Sequence, residues 1–88
     1  MRIVVYRNNP AGQRCNILAE NLLNAVAEIV DEFNNLEIGL VYVEEGDEIV
    51  APALKIDEEL LGENISMDEL MERFSTENLV ELLKERAK

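Results

Sequence analysis

The sequence predicts an α/β domain, and three features of its order carry that expectation. A short β-branched run opens the chain, a long amphipathic helix follows it, and a second apolar run follows the helix. A proline then leads two short strand-like stretches, and helical segments close the chain. Of the 88 residues, 48% are apolar, enough for one compact core near the lower size limit for folding without staples. The expected unit is one domain over 1–88, with a core over about 2–74 and a helical extension over about 75–88.

Each element has a local cause. Arg2 to Tyr6 (RIVVY) reads as a strand buried on both faces. Asn8-Asn9-Pro10 reads as a turn into a helix, with Asn9 able to cap and Pro10 suited to the first helical position. From Cys15 to Phe33, Leu18, Leu22, Val26, Ile29 and Phe33 recur at three- and four-residue steps, which is an amphipathic helix ended near Asn34-Asn35. Leu36 to Val43 is a second strand, and strand–helix–strand implies a right-handed crossover between parallel strands.

Glu44 to Ala51 is an acidic connection that fits either a helical turn at Asp47 to Val50 or a hairpin through Gly46-Asp47 into a strand at Ile49 to Ala51. Pro52 belongs at a strand start or a sheet edge. Ala53 to Ile56 and Glu59 to Leu61 read as strands joined by a turn at Asp57-Glu58, with Gly62 ending them. Ser66 and Glu69 form a capping box for a helix through Phe74, whose buried stripe would be Met67, Leu70, Met71 and Phe74. Leu79, Leu82 and Leu83 fall out of phase with that stripe, so a break at Ser75-Thr76 and a last helix from about Glu77 to Ala87 are expected. Lys84, Arg86 and Lys88 complement the dipole at its end.

Composition removes whole classes of chemistry. The chain has no histidine and one cysteine, which excludes a Ser-His or Cys-His pair, an intrachain disulfide and a thiolate zinc site within one chain. Its four glycines have neither Walker nor Rossmann spacing. The net charge of −11 repels phosphates, so nucleic acid is not an expected partner. Glu44, Glu45, Asp47 and Glu48 lack the spacing of a calcium loop and read as a solvated connection. No apolar stretch spans a membrane and no signal peptide is evident, so a cytoplasmic protein is expected. The charge is uneven. Residues 1–19 carry Arg2, Arg7 and Arg14 with no acid, whereas all nineteen acids lie from Glu20 onward.

The strand RIVVY, the helix CNILAENLLNAVAEI, the segment Ala51-Pro52-Ala53-Leu54-Lys55-Ile56-Asp57 and the entry Gly62…Ser66-Met67-Asp68-Glu69-Leu70 stand in an order that resembles the small thioredoxin-like and glutaredoxin-like proteins of archaea and bacteria. That resemblance implies a thioredoxin-like α/β fold with a central four-stranded mixed sheet flanked by helices, an extra C-terminal helix, and a cis Ala51–Pro52 bond. It places Cys15 at the second cysteine of the family's Cys-x-x-Cys motif and Gly12 where the attacking cysteine stands. The loop before it, Arg7 to Ala11, is about two residues longer than in the family, and the link from Val43 to Pro52 is too short for the family's full second helix.

In the dithiol mechanism a thiolate at the helix start attacks, and a second thiol one turn deeper resolves the mixed disulfide. With Gly12 in the first position, the attacking step is missing. Two functions follow. The leading one is a non-catalytic protein- or peptide-binding module without a dithiol motif, whose surface combines Arg7, Asn9, Pro10, Gly12, Gln13 and Arg14 with Ala51 and Pro52, and which needs no cofactor. The alternative is a single-cysteine thiol–disulfide exchange enzyme in which Cys15 is catalytic, Arg14 lowers its pKa, and an external thiol completes the cycle. Exposure of Cys15 discriminates them. A third reading is an obligate oligomer built through the last helix.

Overall fold

A computed structural model of the chain describes residues 1–44 and 46–86. Glu45 of the acidic connection, and Ala87 and Lys88, expected at the end of the last helix, lie outside the described residues. The elements run β1 (Arg2–Arg7), α1 (Gln13–Ile29), a 3₁₀ turn (Val30–Glu32), β2 (Glu37–Tyr42), β3 (Ala53–Ile56), β4 (Glu59–Gly62), α2 (Met67–Met71) and α3 (Thr76–Arg86). The sheet order is β2-β1-β3-β4. β1 and β2 are parallel, joined through α1 as the crossover rule requires, while β3 is antiparallel to both β1 and β4. This is the α/β architecture with a mixed four-stranded sheet and an added C-terminal helix that the sequence implies.

Sheet register assigns the faces. Ile3 pairs with Ile38 and Ile56, and Val5 with Leu40 and Leu54, so these side chains share one face. Ile3, Val5, Leu54 and Ile56 are fully buried there, in one cluster with Leu18, Leu22, Ala25 and Ile29 of α1, Leu70 and Phe74 at α2, and Leu79 and Leu83 of α3. Each such aliphatic side chain contributes about 1.5–3 kcal/mol on leaving water. The last helix is therefore built into the core, and its apolar stripe is not a free interface.

The opposite face of β1 departs from expectation. Val4 and Tyr6 are half-buried and Arg2 is exposed, so β1 is buried on one face only. The cause is the short link after β2: among the described residues of 43–52 there is neither helix nor strand, so neither expectation for that segment holds. The link folds over the Tyr6 end of that face instead. Tyr6, Val43, Asp47, Glu48 and Ile49 line an open cleft there of about 300 Å³. The acidic turn is tied by Asp47, whose carboxylate accepts from the Glu44 N–H at 2.7 Å and whose own N–H donates to the Glu44 carbonyl at 3.1 Å.

The C-terminal half follows its local signals closely. Asp57 and Glu58 turn the β3–β4 hairpin with φ of 47° and 71°, the pair of positive φ values a two-residue hairpin turn demands. Gly62 sits under the Phe74 ring, where a Cβ would come within 3.0 Å of Cζ. Ser66 caps α2 with both bonds of the capping box present. α2 lasts barely more than a turn, and this overturns the four-residue stripe: Leu70 and Phe74 are buried, Met67 is half-buried, and Met71 is 74% exposed. Asn78 N–H then donates to Ser75 Oγ at 3.3 Å as α3 begins. The two helices are separate elements, as the phase shift between their stripes requires.

Candidate functional site

The C-terminal end of β1, the start of α1 and the segment before β3 meet at one end of the sheet, because Tyr6 pairs with Ala53 and the chain leaves β1 just before Asn8. Helix α1 begins later than expected. Gly12 is its N-cap, in extended conformation with no side-chain cap, and the Asn16 N–H closes the first turn on the Gly12 carbonyl at 3.1 Å. Asn9 and Pro10 thus belong to the preceding loop, where both are exposed, and Pro10 is not the first helical residue. The Asn9–Pro10 and Ala51–Pro52 bonds are both cis.

Cys15 lies in the first turn of α1 on its inward side and is 1% exposed. Its Sγ receives a long contact from the Asn8 N–H, at 3.5 Å. It is unpaired, and among the described residues no group of three or more Cys, Asp or Glu side chains is arranged to hold a metal ion. A thiol sealed in this way packs as a small apolar side chain, whereas thiol exchange requires an accessible thiolate.

The two arginines flanking the loop have partners of their own. Arg7 donates to Asn16 Oδ1 at 2.8 Å, and its guanidinium lies 5.6 Å from the centre of the Tyr42 ring. Its Nε is shielded and has no hydrogen-bond partner among the described residues. Arg14 donates to the Ile65 carbonyl at 3.0 Å and to Asn64 Oδ1 at 3.3 Å. It braces the loop after β4. Among the described residues neither arginine forms an ion pair with the chain's abundant carboxylates.

The proline segment is enclosed. Ala51 is 3% exposed and Pro52 is buried. The Val50 and Pro52 carbonyls accept from the Asn64 and Ile65 N–H groups at 2.7 and 3.0 Å, and the Val50 N–H donates to Glu63. Arg14 and the proline segment thus share one partner, the loop at Asn64-Ile65. Of the residues predicted for a binding surface, Asn9, Pro10, Gly12 and Gln13 are exposed, Arg7 and Arg14 are half-buried, and Ala51 and Pro52 lie inside.

Sequence reasoning missed two side chains that hold this end together. Asn21 of α1 donates to the Phe74 and Leu70 carbonyls at 3.1 and 3.4 Å, fastening the end of α2. Tyr42 supplies the ring under Arg7. An amide on an amphipathic helix, next to Leu22 of the apolar stripe, was the available signal for Asn21. Among the described residues no helix is long and apolar enough to cross a membrane. No protein-family model, no curated protein and no solved structure matches the chain.

Proposed function

We propose that this protein is a thioredoxin-like module without a dithiol, a non-catalytic unit that binds a protein or peptide through the loop at the start of α1. The observation that carries this reading is the pairing of Gly12, which has no sulfur, with a Cys15 sealed one turn deeper at 1% exposure. Neither half of a thiol-exchange cycle has an accessible sulfur in that arrangement. The burial of Ala51 and Pro52 moves the accessible surface onto the loop. Asn9, Pro10, Gly12 and Gln13 are presented together, between two arginines that form no ion pair among the described residues, on a chain of net charge −11. Such a surface attracts acidic peptide segments more than the rest of the molecule does.

The test has a chemical arm and a binding arm. In an insulin-reduction assay with dithiothreitol, turnover should equal the uncatalysed control, and a maleimide should label native Cys15 far more slowly than the unfolded chain. Peptides selected from a random library on the folded protein should shift the amide signals of Asn9 to Arg14. An acceleration of insulin reduction that vanishes in Cys15→Ser would replace this reading with the single-cysteine enzyme, and shifts that avoid the loop would remove the loop as the binding surface.

A further inference from the structure

β2 ends the sheet, and among the described residues its outer edge has no partner strand. Its hydrogen-bond phase is fixed by its neighbour. The Glu37 N–H donates to the Met1 carbonyl at 2.9 Å and the Val43 N–H to the Arg7 carbonyl at 2.8 Å. Strand alternation therefore commits Glu37, Gly39, Val41 and Val43 to β1 and turns the N–H and C=O of Ile38, Leu40 and Tyr42 outward. By register with Ile3, Val5 and Arg7, those same three residues point their side chains to the helix-covered face. Yet α1 does not cover them: Leu40 is 47% and Tyr42 52% exposed.

The nearby flank of α1 continues the apolar surface. Leu23, Ala27 and Val30 fall on one stripe of the helix with the polar Asn16 and Glu20, all exposed. Asn16 binds Arg7, which stacks on Tyr42, so this stripe is the one turned toward β2.

We propose that β2 pairs antiparallel with β2 of a second copy of this chain, about a two-fold axis through Leu40, joining the two sheets into one. In that register Leu40 faces Leu40 of the copy and Ile38 faces Tyr42. Each of the three residues trades both of its outward main-chain bonds, and all side chains concerned lie on the same face. A one-residue slip would set these outward groups against residues already bonded to β1. The axis is isologous, so it closes on a dimer.

Charge favours this occupant. Glu37 is the only carboxylate between Asn34 and Val43 in a chain with nineteen, so the paired strands themselves bring few like charges together. The axis also sets the Arg7 end of each strand against the end of the other that holds Asp31, Glu32 and Glu37.

Sedimentation velocity from about 1 µM to about 500 µM (the range that captures weak to moderate self-association) should show a monomer converting to a dimer. Amide exchange at Ile38, Leu40 and Tyr42 should slow as concentration rises, while Gly39 and Val41 stay protected throughout. Leu40→Lys, which sets two lysines face to face, should weaken the dimer at least about 100-fold with the fold intact by circular dichroism. Ile38→Lys serves as the second variant, and Met71→Lys on α2 should change nothing. A mass of one chain throughout the range overturns the proposal. So does a dimer indifferent to both β2 variants, or one whose Ile38, Leu40 and Tyr42 amides exchange at a rate independent of concentration.

Discussion

The two edges of the sheet are built on opposite plans. β4 is four residues long, its register against β3 shifts between Leu54 and Lys55, and it carries Glu59 beside Glu58 in the turn. Two arginines from the C-terminal segment guard it: Arg86 of α3 bonds Glu59, and Arg73, in the turn between α2 and α3, donates to the Leu61 carbonyl at 3.3 Å. Shortness, irregular register and charge are the means by which edge strands are kept from pairing with foreign chains. β2 has neither the shortness nor the irregular register. It is six residues long, in unbroken parallel register, with one carboxylate at its first position. An edge is closed by what the sequence places along and above it, and here only one of the two has been closed.

The strongest way to break this contrast is to loosen α3, which supplies the guard for β4. Leu83→Ala removes a fully buried side chain and should cost about 2–5 kcal/mol, measured as a lower denaturation midpoint. Amide exchange should quicken in β4 and α3 more than along β2. Ser66→Ala acts more gently, removing the cap of the short helix that leads to Arg73; a loss of about 1 kcal/mol is expected in urea unfolding.

The hairpin at the guarded edge can also be improved. Glu58 holds φ 71°, and Glu58→Gly should relieve that conformation for a gain of about 0.5–1 kcal/mol, read from the same unfolding curves. The smallest effect concerns pH. The hydrogen bond from Arg86, with its charge as the second cause, lowers the Glu59 pKa below its ordinary 4.5. A depressed carboxylate stabilises the fold above its unfolded value, and that share is lost as pH falls through the lowered folded value. The pair is exposed, so the effect is small. Comparing the acid limb of stability for the parent and Arg86→Ala should show a slightly shallower fall in the variant.

What the sequence disclosed was mostly local. The long helix, the hairpin at Asp57-Glu58, the capping box and the break before α3 all rest on contacts within a few residues. Features set by distant partners were not visible. Met71 has the right spacing for the core, but α2 ends there, so Leu70 and Phe74 of the expected stripe are buried while Met71 is left exposed. RIVVY has the composition of a doubly covered strand, yet its second face has no helix over it because the Val43–Pro52 link is too short to supply one. At the candidate site, the inward side of Cys15 was legible from helix phase. The enclosure of Ala51 and Pro52 was not, since it depends on Asn64 and Ile65 closing over them from the far end of the hairpin.

The absence of tryptophan leaves the two tyrosines to dominate the near-ultraviolet signal, and the register separates them. Tyr6 pairs with Val41 and Tyr42 with Arg7, so their rings project from opposite sides of the sheet. One lines the cleft under the acidic link, and the other lies beneath a guanidinium at the open edge. Phenylalanine substitution of either leaves a single tyrosine, so the tyrosine spectrum of this molecule can be read one side of the sheet at a time without an attached label.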